Sequence, residues 1–327
     1  MTLAVNPSPS LPRITLIDSL RGIALIAMAS YHFTWDLSFF GYLEPGTATQ
    51  GGWKLYARAI ASSFLFLAGV SLVLAHSSTI RWRSFWKRFA VVAGAAAAIS
   101  LATFIATPKE WIFFGILHNI AISSLVGLAF VRLRALASAS AAGLIVFVMV
   151  MDSHVFAGIV RSALFEPKAL AWIGLSPSAP RSNDFVPLFP WLAATLAGVA
   201  AGRFALDHGW LERLAQVQTR KNFLSWAGRH SLLIYLTHQP VLIAIIYIFS
   251  LVSPAPLPDP RQTYMDSCER GCISEGNEVG LCVQFCNCTA DLLAQQSLME
   301  RMQRPEIDQQ TEEKVQAIAM ECSARLR

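Results

Sequence analysis

The chain has 327 residues, of which 54% are hydrophobic and only 14% are charged, with a formal net charge of +5. This apolar content excludes an ordinary soluble domain of the same length. The charge is unevenly divided, because residues 1–254 hold 19 basic and 9 acidic side chains whereas residues 255–327 hold 7 basic and 12 acidic ones. Since the basic excess flanks apolar runs, it favours lipid headgroups or cytosolic anions as partners and argues against a nucleic-acid platform.

Long apolar runs recur through the first 254 residues, and most of them reach the roughly 20 residues that a helix needs to cross a bilayer. The sequence therefore predicts an all-α, polytopic membrane bundle of about seven transmembrane helices. The predicted spans are residues 22–40, 55–75, 89–106, 111–131, 135–151, 186–206 and 231–252. The fifth, at the short end of the length range, is the weakest. Charges inside the first argue against a cleaved signal peptide.

Basic residues mark the loops that are expected to face the cytoplasm. The loop between the second and third spans reads RWRSFWKR and contains Arg81, Arg83, Lys87 and Arg88. The loops that follow the later even-numbered spans are also basic. The loops that follow the odd-numbered spans are poor in Lys and Arg. This parity predicts a cytoplasmic N-terminus and an outward-facing C-terminal tail.

The stretch DSLRGIALIAMASYHFTWDL carries Asp18, Arg21, His32 and Asp36 in an otherwise apolar span. At about 100° per residue, all four fall on one narrow helical face. Such residues normally face a bundle interior or a watery cavity. Asp18 and Arg21 are equally well explained as a helix cap and a snorkelling cation. His32 and Asp36 lie one turn apart. Either Asp36 orients the imidazole for chemistry, or the two side chains are a hydrogen-bonded pair in the core with no functional role.

Two other spans also offer histidines, which are His118 within GILHNIAISS and His238 within GRHSLLIYLTHQPV. His238 shares a helical face with Tyr235, and Arg58 near the outer end of the second span has no obvious local partner. Three spans that present histidines toward one interior suggest a site, although any single one is more often core packing.

The tail from 255 to 327 follows the proline-rich segment SPAPLPDP and holds all the cysteines of the chain. They are Cys268, Cys272, Cys282, Cys286, Cys288 and Cys322. An even number of cysteines in a short, outward-facing segment favours a disulfide framework. The spacing C-x3-C, nine residues, C-x3-C predicts two helices joined by the turn EGNEVG and stapled face to face.

Spacing alone does not fix the connectivity of these cysteines. The pairing that we favour joins Cys268 with Cys286, Cys272 with Cys282, and Cys288 with Cys322 on a further helix from about 306 to 326. A zinc or haem site is the competing interpretation, but C-x3-C is not a usual metal spacing and the tail has no His, so no metal site is predicted. The tail is expected to be a small helical cap or interaction module.

Several motifs along the chain together resemble a known family. They are DSLRGIALIAM, YHFTWDL, SFLFLAGVSL, FFGILHNIAI, PLFPWLAATLAGVAAGR and GRHSLLIYLTHQPVL. In this order, over about residues 14–250, they are similar to the bacterial relatives of the heparan-α-glucosaminide N-acetyltransferase catalytic domain. Arg21 followed by His32 also resembles the Arg/His pair of the wider transmembrane acyltransferase group, in which the His is taken as catalytic.

The resemblance implies a membrane-bound acetyl- or acyltransferase of a bacterial inner membrane, with its tail in the periplasm. The donor would be cytosolic acetyl-CoA or acyl-CoA, bound as a substrate with no permanently bound cofactor. The acceptor would be an amine or hydroxyl of an extracytoplasmic glycan or lipid, and a homo-oligomer is possible.

Site roles follow from the same resemblance. His32 is expected to be the general base or a transient acyl carrier that Asp36 orients. His118 and His238 are further catalytic candidates. The candidates for holding coenzyme A are Arg21, Arg58 and Arg229.

Two other functions remain open on the sequence. Intramembrane His, Asp and Arg also build proton relays, so a proton-coupled transporter is the first alternative, although no convincing internal repeat is present. The second is a non-enzymatic membrane anchor that presents the disulfide tail.

Overall fold

The computed structural model describes residues 14–44, 46–76, 79–155, 158, 160–216, 222–256, 259–302 and 308–326. Within these ranges the regular structure consists of α-helices, two short 3-10 helices and one bridge between Phe114 and Phe185, and the rest is turns and irregular segments. The α-helices are α1 (Thr15–Phe39), α2 (Gly51–His76), α3 (Trp82–Ala106), α4 (Ile116–Phe130), α5 (Ala135–His154), α6 (Lys168–Ala171), α7 (Leu188–Asp207), α8 (Trp210–Gln216), α9 (Phe223–Arg229), α10 (Ser231–Val252), α11 (Pro260–Ser274), α12 (Val279–Gln295), α13 (Met299–Met302) and α14 (Gln309–Arg325). The all-α prediction is confirmed.

Five of the described helices are long and apolar enough to cross a membrane, namely α2, α3, α5, α7 and α10. The first and fourth predicted spans correspond to α1 and α4, which do not qualify by themselves. Helix α1 has 25 residues, but its ionisable side chains lower its hydropathy. Helix α4 is apolar but has only 15 residues, which cover about 22 Å of a hydrocarbon core roughly 30 Å thick.

The prediction that the fifth span is the weakest is wrong, because α5 qualifies with 20 residues and the fourth span is the short one. Helix α4 begins only at Ile116, although the apolar run starts at residue 111. The backbone before it is held by other partners: Ser100 Oγ donates to the Ile112 carbonyl at 2.6 Å, and the Ile112 N–H donates to Thr103 Oγ1 at 3.0 Å. The side chains of Ser100 and Thr103 thus satisfy the backbone carbonyl and N–H of Ile112, which would form helical hydrogen bonds if α4 began earlier.

The chain divides into two compact units. The bundle unit comprises the chain up to Phe39 together with Leu43–Phe249, and the tail unit comprises Phe40–Tyr42 together with the chain from Ser250 onward. The boundary near residue 250 falls inside α10, a few residues before the boundary at 254 expected from composition.

Helices α2 and α7 lie close together at the centre of the bundle unit. A methyl group at Gly69 would clash with the Thr195 carbonyl, and one at Gly198 would clash with the Phe66 carbonyl. Leu65 of α2 is completely buried in the same unit. Small residues at helix contacts let backbones approach closely, which is how membrane helices gain packing energy.

Helices α1 and α9 are in similarly close contact. The Cα of Gly228 lies against the Asp18 carbonyl and the Cα of Gly22 lies against the Leu224 carbonyl, so neither position has room for a side chain. This approach buries Asp18, whose exposed fraction is 2%.

The tail unit contains three disulfides, and their pairing is the one favoured on the sequence. They join Cys268 to Cys286, Cys272 to Cys282 and Cys288 to Cys322, with Cα atoms 5.8, 5.7 and 5.9 Å apart. Helices α11 and α12 form the predicted hairpin, and α14 is the predicted third helix, whose expected start at 306 lies outside the described residues. Leu293 and Ile318 are buried in a small apolar core beneath these crosslinks.

Candidate functional site

The bundle unit contains a cavity of about 480 Å³ lined by residues of α1, α2, α3, α4 and α10. Three cationic side chains reach it, which are Arg21 from α1 and Lys87 and Arg88 from α3. The rest of the wall is largely apolar and includes Val92. The cavity also contacts Tyr235, on the first turns of α10.

The charges around Arg21 leave an excess of positive charge beside the cavity. Arg21 Nη1 lies 3.0 Å from Asp18 Oδ1, and Arg21 also donates to Ser71 Oγ. Arg229 Nε lies 3.5 Å from Asp18 Oδ2, so one carboxylate serves two guanidinium groups. Among the described residues, no carboxylate lies within ion-pair distance of Lys87 or Arg88. An anion is therefore the expected occupant of this end of the cavity.

His32 and His238 come together from α1 and α10. Their ring centroids lie 5.0 Å apart at an interplanar angle of 61°. Tyr235 packs against His238 with centroids 5.6 Å apart, and Tyr31 packs against His32 at the same distance. Tyr235 thus contacts both the cavity and the histidine pair.

The hydrogen bonding of His238 fixes its neutral tautomer. Its Nδ1 lies 2.7 Å from the Tyr235 carbonyl oxygen, which can only accept, so Nδ1 carries the hydrogen. The lone pair is then on Nε2, which is buried and has no hydrogen-bond partner in the described structure. An imidazole held in this way presents a free basic nitrogen.

Asp36 forms a hydrogen bond with α10. It is completely buried, and its Oδ1 accepts a hydrogen bond from Gln239 Nε2 at 2.6 Å. No hydrogen bond between Asp36 and His32 is found in the described part of the chain. The sequence reasoning placed the two on one helical face, but the carboxylate pairs across the helix contact with a residue 203 positions away. Asp36 Oδ2 and Gln239 Oε1 are buried without partners.

His118 occupies a different position, at the start of α4. Its Nδ1 accepts from the Gly115 N–H at 3.2 Å, so its Nε2 carries the hydrogen and faces Ser100 Oγ at 3.2 Å. Both ring nitrogens are therefore used in ordering the loop before α4. The catalytic and the structural interpretations of His118 both stay predictions.

The two remaining candidate cations do not line the cavity. Arg58 is exposed on α2, and Arg229 is exposed at the end of α9, where it pairs with Asp18. Arg229 shares the Asp18 carboxylate with Arg21. Lys87 and Arg88, which do line the cavity, belong to the basic loop that the sequence reasoning assigned to the cytoplasmic side and to cytosolic anions.

Asp184 is a further acidic residue near the site that the sequence reasoning missed. Its Oδ2 accepts the Ile116 N–H at 3.0 Å, and it interacts electrostatically with Tyr31 and Tyr235. Burial raises the pKa of the Asp184 carboxyl to about 6, although the bond from Ile116 opposes this. It follows α6 in an irregular segment, where no periodicity marks a residue as inward-facing.

Comparisons with known proteins find two curated proteins with partial similarity and one family profile. Two curated proteins, the Na(+)/H(+) antiporter NhaA of Shewanella sp. (strain W3-18-1) and that of Shewanella putrefaciens (strain CN-32), are each 28% identical over 176 residues, which is 51% of this chain and 43% of theirs. The chain thus spans less than half the length of these curated relatives. No solved structure matches the chain.

The family profile described as heparan-alpha-glucosaminide N-acetyltransferase, catalytic, matches residues 13–240. This match includes α1 to α9 and the part of α10 that carries Tyr235 and His238, so it contains the cavity and the histidine pair. The chain therefore belongs to the heparan-α-glucosaminide N-acetyltransferase catalytic family, a family of transmembrane acetyltransferases.

Proposed function

We propose that the protein transfers an acetyl or other acyl group from coenzyme A to an amine on the far side of the membrane. The observation that supports this most directly is the position of the cavity, which joins the cations Arg21, Lys87 and Arg88 to Tyr235, beside His238. Guanidinium and ammonium groups suit the phosphates of coenzyme A. The largely apolar wall between them suits its pantetheine arm.

His238 is the proposed general base in this reaction. Its Nε2 takes a proton from the acceptor nitrogen while that nitrogen attacks the carbonyl carbon of the thioester. The carbon–sulfur bond then breaks, the sulfur leaves as a thiolate, and the proton on His238 returns to it. His32 is the second candidate, either as the base itself or as a nucleophile that carries the acyl group on one ring nitrogen.

The polar atoms at the contact between α1 and α10 favour an amine over a hydroxyl as the acceptor. His238 Nε2, Asp36 Oδ2 and Gln239 Oε1 are all buried and without partners. The histidine nitrogen and the amide oxygen are acceptors, and so is the carboxylate when it is ionised. A neutral primary amine, the form that can attack the thioester, offers two N–H donors, whereas a hydroxyl offers one. Unsatisfied buried acceptors are costly, so a ligand rich in N–H groups is the better complement.

The proposed topology follows the basic loops. The N-terminus and the donor cavity would face the cytoplasm of a bacterial cell, and the tail unit would lie in the periplasm. The acceptor would then be a glycan or lipid of the cell envelope.

The test is acyl transfer by the purified full chain supplied with radiolabelled acetyl-CoA and a panel of amine acceptors. We expect His238→Ala to lower kcat by at least about 100-fold, the usual contribution of a general base. The matched control is His208→Ala, an exposed histidine at the end of α7. Equal activity in wild type and His238→Ala would contradict the assignment of the base. Absence of acetyl-CoA binding in the wild type would contradict the proposed function itself.

The partial similarity to the antiporter supports a proton-coupled transporter as the second candidate. Buried His and Asp side chains in one membrane bundle are the chemistry that such a relay uses. Proteoliposomes with a trapped pH-sensitive dye separate the two. A proton flux that depends on added Na⁺ and is lost in Asp36→Asn would favour the transporter.

A further inference from the structure

The start of α3 forms a second, open cavity of about 570 Å³ at the surface of the bundle unit. Its wall consists of Arg81, Trp82, Arg83, Ser84 and Lys87. All five residues are exposed. Trp86, on the next turn of the same helix, is also 50% exposed. This cluster, the α3 patch, therefore combines three cations with exposed indole rings.

The cations of the α3 patch lack acidic partners. In the described ranges, no carboxylate lies within ion-pair distance of Arg81, Arg83 or Lys87. Arg81 is held in place by its Nε, which donates to the Ala75 carbonyl at 2.9 Å, and by its backbone N–H, which donates to His76 Nδ1 at 3.2 Å. No side chain caps the start of α3. Uncapped N–H groups and the helix dipole add to the preference for an anion.

The position of the α3 patch favours an anion that belongs to a lipid. Helix α3 is long and apolar enough to span a membrane, and only 6% of its apolar window is buried inside the protein. Its first turns therefore fall where a spanning helix meets the headgroup region, and Trp82 and Trp86 are the residue type enriched there. A free phosphate gains nothing from exposed indoles, whereas a phospholipid brings both a phosphate and an apolar chain.

We propose that the α3 patch binds the phosphate headgroup of an anionic phospholipid. Ser84 and Lys87 line this cavity and also the interior cavity that contacts Arg21 and Tyr235. A lipid bound here would share Lys87 with the donor that the proposed function places in the interior, so anionic lipid would raise the KM for acyl-CoA. That second consequence rests on the proposed function, whereas lipid binding itself does not.

The test measures lipid retained by the full chain after purification in mixed micelles of phosphatidylglycerol and phosphatidylcholine, by native mass spectrometry. We expect the wild type to retain phosphatidylglycerol preferentially, and Arg83→Gln to lower that retention about fivefold, as expected for one basic contact near an anionic surface. Arg83 was chosen because it does not line the interior cavity. The matched control is Arg134→Gln, an exposed cation that precedes α5, and it should retain lipid like the wild type.

Three outcomes would overturn the proposal. Equal losses in Arg83→Gln and Arg134→Gln would mean that only overall charge matters. Equal retention of phosphatidylcholine would show that the headgroup charge is not recognised. Displacement of the lipid by inorganic phosphate at matched ionic strength, with sulfate inert, would assign the patch to free phosphate. A preserved lipid preference without any acetyl-CoA binding would overturn the proposed function alone, and a thermal melt of each variant verifies folding.

Discussion

The bundle unit and the tail unit are both helical, yet they hold their helices together by different means. In the bundle unit, Gly69 and Gly198 let α2 and α7 approach until backbone touches backbone. That unit contains no cysteine. In the tail unit, three disulfides join α11, α12 and α14 over a small apolar core.

The difference follows from what each unit can bury. Helices in lipid gain little from the hydrophobic effect against one another, so close van der Waals contact becomes the main source of association. A segment as short as the tail cannot bury enough apolar surface to be stable, so crosslinks that restrict its unfolded chain supply what the core lacks. Close helix packing in the bundle unit and the crosslinks of the tail unit can each be weakened separately by mutation.

Removal of the longest crosslink should have the largest effect. Cys288 and Cys322 are 34 residues apart, so replacing both by serine should lower the free energy of unfolding of the tail unit by about 4 kcal/mol in the chain-entropy account. Limited proteolysis of the full chain should then cleave within the tail before the bundle. The matched control replaces Cys272 and Cys282, which are 10 residues apart, and the smaller loop should lose about 3 kcal/mol. Cleavage that begins in the bundle would contradict this prediction.

A methyl group at the contact between α2 and α7 should have the next largest effect. Gly198→Ala forces a side chain against the Phe66 carbonyl, and overpacking of this kind costs about 1–3 kcal/mol. The bundle should melt at lower temperature while the proteolysis of the tail stays unchanged. Gly143→Ala on α5 is the control, because its methyl group meets no heavy atom within 4 Å. Equal melting temperatures for the two variants would mean that close packing does not limit the bundle.

The smallest effect concerns pH and the bundle alone. Burial raises the pKa of Asp184 from 3.8 to about 6, so the folded state binds a proton more tightly than the unfolded state. The free energy of unfolding should therefore rise as the pH falls from above 6 toward 4, by about 1–2 kcal/mol after allowance for partial exposure. Asp184→Asn should remove this slope in melts across the pH range. Asp207→Asn, at an exposed ion pair with Arg203, should keep it, and identical slopes in both variants would contradict the assignment.

Sequence reasoning succeeded where a local pattern carries the information. The C-x3-C spacing predicted the disulfide-stapled hairpin of α11 and α12, because it places both thiols of each pair on one helical face. His32 and His238 were singled out because ionisable side chains are rare in apolar spans, and the structure brings them together.

The features that the sequence did not reveal depend on contacts between distant segments. The bond from Gln239 to Asp36 joins residues 203 positions apart, and no pattern within α1 indicates it. Arg58 and Arg229 carry the right charge, but their sequence positions do not reveal which helix face the cavity occupies. Helix α4 begins later than the apolar run because Ser100 and Thr103 form hydrogen bonds with the backbone of Ile112, in the loop that precedes it.

The short α4 has a consequence for any chemistry that links two compartments. With 15 residues, it falls about 8 Å short of the hydrocarbon thickness that a full span would cover, and Asn119 Nδ2 donates to the Val186 and Pro187 carbonyls of the irregular backbone beside it. In a bilayer, this internally hydrogen-bonded backbone would take the place of part of the hydrocarbon layer that a full span crosses. Two reactants arriving from opposite sides would meet where that layer is thinnest, so neither would have to travel its full depth.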